Sequence, residues 1–221
     1  MNENTPLVIA NLKANKTWDE ISTWLDVVAH YAEDFPGTLV LSPAFPFLSA
    51  ASQKIKANGF KIKLASQDVS RFEQGAYTGE VAASQIKDLC RFAIIGHSER
   101  RQNFAESDEI LSQKVLNAQN ATIIPIFCVQ DQSTPIAEGV EIVAYEPTFA
   151  IGSGNPDTPE NAKAQAKEIK KRGAYTVIYG GSVSGQNARS FIEKDLIDGL
   201  LVATNSLDPQ NFIKIIEAVS D

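Results

Sequence analysis

Short apolar runs recur along the whole chain and alternate with amphipathic segments. Eight of these runs have the composition of buried β-strands, and they cover residues 7–13, 38–42, 61–67, 91–96, 122–129, 142–146, 175–180 and 199–204. Between most of them, apolar residues recur at helical spacing, as they do at Ile21, Trp24, Leu25 and Val28. The pattern predicts strands and helices that alternate from end to end.

The spacing of the strands favours a closed barrel. Successive runs start about 20 to 33 residues apart, near the length of one strand–helix unit, and no linker rich in Pro, Gly or Ser divides the chain. Near-continuous apolar stretches such as Ala93-Ile94-Ile95 indicate strands buried on both faces, as in a parallel sheet. Eight such units fit a (β/α)8 barrel better than an open doubly wound sheet, which more often has fewer strands and a glycine-rich first turn.

One connection departs from this regular pattern. Only residues 130–141 join the fifth and sixth runs, and they include Pro135 and Gly139. A parallel crossover needs at least about a dozen residues, so this one is near the minimum. We therefore predict a shortened or missing helix between strands 5 and 6.

Composition narrows the classes of function. The 221 residues are 43% hydrophobic and 21% charged, which suits a chain that buries a full core. We find neither an apolar stretch of about 18 residues nor a signal-peptide pattern at the N-terminus, so we expect a cytoplasmic protein without a membrane partner. The net charge of −7 disfavours nucleic acid as a partner, and an anionic ligand would need a local counter-charge. Cys90 and Cys128 lie in or beside apolar runs and are predicted to be buried thiols.

Polar residues at the ends of the strands are the candidates for function, because the active site of such a barrel lies at the carboxyl ends of its strands. The first run ends in Asn11-Leu12-Lys13, and the two-residue period of a strand places Asn11 and Lys13 on one face. Lys13 is the candidate counter-charge for an anion. A solvated lysine that merely ends the strand is the alternative.

His97 follows the fourth run at the predicted start of a helix. The helix dipole disfavours an imidazolium there, so the ring is expected to stay neutral and to act as a hydrogen-bond donor. A purely structural histidine is the alternative. Arg100 and Arg101 are predicted to pair with Glu106 or Asp108 rather than to act in catalysis.

The sixth and seventh runs end in a carboxylate and in paired glycines. Glu146 follows four mostly apolar strand residues, so it is expected to be partly desolvated and therefore a stronger base. Gly180 and Gly181 precede Ser182 and let backbone N–H groups approach an oxyanion closely. Phosphate sites in these barrels are frequently built from the loops after strands 7 and 8.

Several other chemistries lack their sequence signals. No His, Cys, Asp or Glu set has metal-ligand spacing, and no nucleophile elbow or Walker loop is present. We therefore expect neither a metal nor a cofactor. A lysine, a neutral histidine, a carboxylate base and a phosphate cradle suit the movement of a proton next to a carbonyl group.

Four motifs together resemble the triosephosphate isomerase family. They are Asn11-Leu12-Lys13, residues 95–101 (Ile-Gly-His-Ser-Glu-Arg-Arg), Tyr145-Glu146-Pro147 with residues 150–154 (Ala-Ile-Gly-Ser-Gly), and residues 179–183 (Tyr-Gly-Gly-Ser-Val). The resemblance covers nearly the whole chain, and the motifs occur in order at the predicted strand ends. It implies a single (β/α)8 TIM barrel over residues 1–221.

The resemblance also implies an activity and a set of roles. The reaction is the interconversion of dihydroxyacetone phosphate and D-glyceraldehyde 3-phosphate through an enediolate, without a metal, in glycolysis and gluconeogenesis. Glu146 moves the proton, His97 polarises the carbonyl group, and Lys13 and Asn11 stabilise the developing negative charge. The remaining implied residues are Gly152, Ser182, Ala203 and Thr204 for substrate binding, Pro147, Ile151, Gly152, Ser153 and Gly154 in a lid, and Ser98, Glu99 and Leu201 in support.

A homodimer follows from the resemblance alone. The loop from Gln67 to Glu80 resembles the family's interdigitating loop, whose threonine, here Thr78, reaches the active site of the neighbouring subunit. An exposed tight turn is the alternative interpretation of this stretch.

Among the departures from the family pattern, one lies after the eighth strand. The family usually has two glycines after the eighth strand, where this chain has Ala203 and Thr204. Both carry a Cβ and tolerate a positive φ poorly, so either the backbone differs here or the cradle uses negative φ. We expect both N–H groups still to bind phosphate.

Two other functions remain open from the sequence. One is a different phosphate-ester enzyme on the same barrel, which would need a different catalytic set. The other is a non-catalytic phosphate-binding protein, which would gain nothing from a desolvated base at Glu146.

Overall fold

Eight parallel strands form the centre of the molecule. The computed structural model describes residues 6–150 and 156–220. The strands are β1 (Leu7–Asn11), β2 (Thr38–Ser42), β3 (Ile62–Ser66), β4 (Phe92–Ile95), β5 (Ile124–Val129), β6 (Ile142–Tyr145), β7 (Thr176–Tyr179) and β8 (Gly199–Val202). Each strand pairs with the next, and β1 also pairs with β8, which closes the barrel. The predicted (β/α)8 architecture is confirmed.

Eight α-helices in the described part of the chain surround the barrel. They are α1 (Trp18–Ala32), α2 (Leu48–Asn58), α3 (Ala83–Ile86), α4 (Ser98–Asn103), α5 (Asp108–Asn120), α6 (Pro159–Lys170), α7 (Ala188–Phe191) and α8 (Pro209–Ala218). The predicted apolar face of α1 is buried, from Ile21 to Val28. Among the described residues, no helix is long and apolar enough to span a lipid bilayer.

Alternation along the strands divides the buried side chains into two cores. One core fills the barrel and includes Ile9, Phe92, Ile126 and Ile178. The other lies between the sheet and the helices. Because both faces of every strand are covered, the strands are apolar along nearly their whole length, and this is why they stand out in the sequence. Cys90 and Cys128 are buried free thiols, as predicted.

The short connection between β5 and β6 contains no helix, as the sequence predicted. Backbone hydrogen bonds to side chains hold it in place instead. Arg172 Nη1 donates to the carbonyl oxygens of Gln132 and Thr134 at 2.6 and 2.9 Å, and Gln119 Nε2 donates to the carbonyl of Gly139 at 2.6 Å. The buried Val140 covers part of the barrel that a helix covers elsewhere.

Three predicted strands were two residues too long at one end, the first, the fifth and the eighth, which ends at Val202. For the first and the fifth, the backbone dihedrals give the reason. Lys13 has φ 52° and Thr122 has φ 60°, values that no β-strand contains. The first strand therefore ends at Asn11 and the fifth begins at Ile124. Lys13 consequently lies on the loop that follows β1.

A buried ionic network lies beside the carboxyl end of β3. Lys114 Nζ contacts Asp68 Oδ1 and Glu106 Oε1, each at 2.6 Å, and Lys114 is only 4% exposed. Arg100 contacts the same two carboxylates at 2.9 and 2.8 Å. Arg101 pairs with Asp108 at 3.2 Å. The prediction that the double arginine pairs with Glu106 or Asp108 is therefore confirmed.

Replacement of Lys114 tests the importance of this network. We expect Lys114→Met to lower the free energy of unfolding by about 3 kcal/mol, because two buried carboxylates then share only Arg100. Urea unfolding at a fixed protein concentration measures the change. Lys171→Met is the control, since Lys171 pairs with Glu168 at the surface, and it should cost less than about 1 kcal/mol. Equal stability of the two variants would contradict the prediction.

Candidate active site

A cavity of about 400 Å³ opens at the carboxyl ends of the strands. Its volume lies within the range of about 300 to 1,000 Å³ that is usual for small-molecule sites. The predicted site residues that line it are Asn11, Lys13, His97, Glu146, Ser182, Leu201, Ala203 and Thr204. Closure of the barrel brings together residues that lie almost 200 positions apart in the sequence.

Glu146 and His97 face each other in this cavity. His97 Nε2 lies 3.2 Å from Glu146 Oε1, and the backbone N–H of Ser98 donates to Glu146 Oε2 at 3.0 Å. Glu146 is 1% exposed, as expected for a carboxylate that follows an apolar strand. The carboxylate is thus desolvated, and it is held by groups that can also stabilise a substrate.

The hydrogen bonds of His97 assign its tautomer. His97 is the residue before α4, and its Nδ1 accepts a hydrogen bond from the backbone N–H of Glu99 at 3.2 Å. Because Nδ1 is the acceptor, the ring proton lies on Nε2, the nitrogen that faces the cavity. The predicted position at the end of a strand and the start of a helix is confirmed, and the ring there is suited to donate a hydrogen bond.

Lys13 is the only lysine or arginine among the described residues that line the cavity. Its backbone has the left-handed φ of 52°, which is costly for a residue other than glycine. Two contacts hold this conformation: Asn11 Oδ1 accepts from the Lys13 N–H at 3.0 Å, and Gln67 Nε2 donates to the Lys13 carbonyl at 2.8 Å. The Lys13 ammonium group forms an ion pair with Glu99.

The loop after β7 passes close to Glu146. A Cβ on Gly180 would lie 2.9 Å from Glu146 Cγ, closer than a Cβ approaches a non-bonded carbon atom in proteins. The glycine therefore lets the backbone pack directly against the side chain of Glu146. Gly181 and Ser182 continue this loop along the cavity wall.

Comparison with known proteins agrees with this geometry. The triosephosphate isomerase family model matches residues 6–219. A triosephosphate isomerase from Aquifex aeolicus is 33% identical over 95% of this chain and 98% of its own length, and one from Mesomycoplasma hyopneumoniae (strain 7448) is 34% identical over the same shares. One from Thermus thermophilus is 32% identical over 95% of this chain and 97% of its own length.

The chain belongs to the triosephosphate isomerase family. The resemblance read from the four motifs is thereby confirmed, and with it the class of enzyme, an isomerase.

The departure from the family pattern after β8 is accommodated by negative φ. Ala203 has φ −106°, and Thr204 begins a 3₁₀ turn that ends at Ser206. Neither residue adopts the positive φ that would demand glycine. The N–H groups at the start of such a turn have no acceptor within the turn, and both residues line the cavity.

Some predicted residues lie outside the cavity or outside the described residues. Thr78 is exposed on the loop between β3 and α3, and it does not line the cavity of its own chain. Pro147 follows Glu146 and is buried. The predicted lid residues Ile151, Gly152, Ser153 and Gly154 lie outside the described residues.

Three supporting residues were missed in the sequence. Cys128 lies beside Glu146: burial raises the pKa of its thiol well above the usual value, and the Glu146 carboxylate raises this pKa further, so the thiol stays protonated. Gln67 holds the Lys13 carbonyl, and Asn205 donates from its side chain to the carbonyl of Val183. Gln67 ends the predicted third strand and Asn205 follows the predicted eighth, so both had a position at a strand end as a signal, whereas Cys128 lies inside a predicted strand and had none. No group of three or more possible metal ligands occurs in residues 6–150 and 156–220.

The close approach of Gly180 to Glu146 generates a prediction. We expect Gly180→Ala to lower the free energy of unfolding by about 1 to 3 kcal/mol, because its Cβ would collide with Glu146 Cγ. In a Glu146→Ala background the colliding atom is gone, so the same change should cost less. Thermal unfolding of the four proteins of this double-mutant cycle measures the difference. An equal cost in both backgrounds would show that the two residues do not touch.

Proposed function

We propose that this protein interconverts dihydroxyacetone phosphate and D-glyceraldehyde 3-phosphate by proton transfer through an enediolate. The observation that carries the proposal is the pairing of Glu146 with His97 Nε2 at 3.2 Å, over a cavity that Lys13 also lines. A desolvated carboxylate, a neutral imidazole donor and one cation are what this proton transfer requires. The family to which the chain belongs supports the choice of substrate.

The proposed proton path uses one base throughout. Glu146 removes a proton from the carbon beside the carbonyl group of dihydroxyacetone phosphate, and the electron pair of that C–H bond forms the double bond of the enediolate. A proton then moves between the two oxygens, and Glu146 returns its proton to the neighbouring carbon. The product is the aldehyde isomer, and no atom is gained or lost.

His97 and Lys13 stabilise the negative charge that develops on the enediolate oxygens. A neutral Nε2–H group donates a hydrogen bond without first having to lose a positive charge, and the Glu99 N–H keeps the ring in this tautomer. The Lys13 ammonium group adds a fixed charge in a chain whose net charge is −7. The side chain of Asn11 supports Lys13 by accepting a hydrogen bond from the Lys13 backbone N–H.

The loops after β7 and β8 are the proposed phosphate site. Ser182, Ala203 and Thr204 line the side of the cavity that these loops form. Backbone N–H groups at the start of a turn bind phosphate well, because they point outward and carry partial positive charge. Negative φ at Ala203 leaves this arrangement available without the two glycines that the family usually has.

Replacement of the base tests the activity. We expect Glu146→Gln to lower kcat/KM by about 10² to 10⁴-fold, because an amide cannot accept the proton. A coupled assay with D-glyceraldehyde 3-phosphate measures the rate, with protein expressed in a host that lacks its own isomerase. Glu160→Gln is the matched control, since Glu160 is an exposed residue of the first turn of α6.

Two results would contradict the proposal. Wild-type protein without isomerase activity would refute the function and would favour a non-catalytic phosphate-binding protein. An active Glu146→Gln variant would refute the assignment of the base.

We also infer that the active form is a homodimer joined through the loop from Gln67 to Glu80. Residues 71–80 of this loop are largely exposed yet structured: the rings of Phe72 and Tyr77 stack at 4.0 Å, and Tyr77 is 44% exposed. Its first residue, Gln67, contacts the Lys13 carbonyl, so an interface here would lie close to the active site. Thr78 is the residue that we assign to the partner's site.

Replacement of Thr78 tests the dimer. We expect wild-type protein to sediment with a mass twice the 24.0 kDa of one chain. Thr78→Arg should sediment as a monomer and have a reduced kcat, because a buried unpaired charge is costly at an interface. Sedimentation velocity and the coupled assay measure the two effects. Thr23→Arg, on the exposed face of α1, should leave both unchanged. A wild-type monomer with full activity would contradict the inference.

A further inference from the structure

Asp157 is a buried carboxylate that the proposed reaction does not use. It is 6% exposed and lies two residues before the start of α6. Its oxygens accept hydrogen bonds from the Tyr145 hydroxyl at 3.0 Å, the Thr158 N–H at 2.8 Å, and Asn161 Nδ2 at 3.0 and 2.8 Å. Within residues 6–150 and 156–220 we find no lysine or arginine in contact with it.

Burial of a carboxylate without a cationic partner has a high cost in free energy. Two features offset this cost at Asp157. Every hydrogen bond to it comes from a well-placed donor, and the N-terminal end of the α6 dipole favours a negative charge at this position. Neither feature explains what the buried charge does for the molecule, but the positions of its partners do.

The partners of Asp157 belong to the two strands that carry the base and the phosphate loop. Tyr145 directly precedes Glu146 at the end of β6, and Tyr179 directly precedes Gly180 at the end of β7. The Asp157 carboxylate accepts from the Tyr145 hydroxyl, while the Asp157 N–H donates to the Tyr179 hydroxyl at 3.0 Å. One residue thus contacts both strand ends from outside the barrel.

The protonation states of the two tyrosines suit these contacts. Burial and the Asp157 charge raise the pKa of Tyr145 far above its usual value, and burial raises the pKa of Tyr179 to about 12. Both hydroxyls therefore stay protonated over the pH range in which enzymes usually work. Tyr145 donates because a carboxylate can only accept, and Tyr179 accepts from the backbone.

The tyrosine rings transmit the position of Asp157 to the backbone of the site. Tyr179 is fully buried and stacks on Phe191 at 4.0 Å, and its ring lies 6.2 Å from that of Tyr145. The two strand ends are also joined by the Gly180 N–H, which donates to the Tyr145 carbonyl at 2.8 Å. Because densely packed interiors transmit strain, we expect a shift of either hydroxyl to move the residue that follows its tyrosine.

We propose that Asp157 is a positioning residue, whose carboxylate and N–H hold the Tyr145 and Tyr179 hydroxyls and thereby set the separation between Glu146 and the loop that starts at Gly180. This inference rests on the proposed function, because that separation matters for a base that must meet a substrate held by its phosphate. A misplacement of roughly 1 Å at a reacting group can cost about a hundredfold in rate.

Kinetics of single and double variants test the proposal. We expect Tyr145→Phe and Asp157→Ala each to lower kcat about tenfold with little change in KM, because the phosphate contacts remain while the base is displaced. The double variant should be no slower than the slower single variant, since both changes break the same contact. Asp157→Asn keeps an oxygen that can accept from Tyr145, so it should restore part of the rate that Asp157→Ala loses.

A tyrosine at the other end of the barrel provides the control. Tyr175 lies just before β7 begins, and Tyr175→Phe should leave kcat unchanged. Folding of each variant is checked by its thermal midpoint. If Asp157→Ala does not fold, Tyr145→Phe alone decides the question, because it removes one hydroxyl and no charge. Folded variants with wild-type kcat, or losses that add in the double variant, would overturn the proposal.

Crystal structures of wild type and Tyr145→Phe separate this proposal from the proposed function. We expect the distance between the Glu146 carboxyl carbon and the Gly180 Cα to change by about 0.5 Å or more in the variant. This readout needs no activity, so it decides the positioning role even if the wild type does not isomerise triose phosphates. An unchanged distance would overturn the positioning role, whereas an inactive wild type overturns only the function.

Discussion

The pairing of β1 with β8 closes the sheet, and the rest of the molecule depends on this closure. In the register of the two strands, Leu7 lies opposite Gly199 and Ala10 opposite Val202. The backbones approach so closely that a Cβ on Gly199 would lie 2.1 Å from the Leu7 carbonyl oxygen. With the ring closed, the carboxyl ends of all eight strands meet around one opening, where Asn11 and Glu146 line a single cavity.

The site depends on backbone geometry as much as on side-chain chemistry. The left-handed conformation of Lys13 has an energetic cost of about 1 to 3 kcal/mol, and contacts with Asn11 and Gln67 hold it. The position of His97 before α4 assigns its proton to the nitrogen that faces Glu146. Contacts within the chain hold both arrangements, so the groups of the site need little reorganisation.

The loss of a helix between β5 and β6 shows how loosely the outer layer constrains the site. Arg172 and Gln119 hold the short crossover by its backbone carbonyls, and β5 and β6 keep their pairing over four residues. The short crossover therefore leaves the strand pairing that positions the end of β6, and Glu146 directly after it, in place. Helices cover the barrel, but the strand register determines where the polar residues at the strand ends lie.

The sequence by itself determined the strands, the closed barrel, the missing helix and the residues at the strand ends. These follow from local patterns: apolar runs buried on both faces, their spacing, and distinctive motifs around His97, Glu146 and Gly180. Only the tertiary structure decided where β1 ends, how Gln67 supports Lys13, and that Asp157 joins Tyr145 to Tyr179. Those features depend on hydrogen bonds between residues far apart in the chain, and a glutamine or an aspartate in a loop carries no local sign of the partner that folding brings to it.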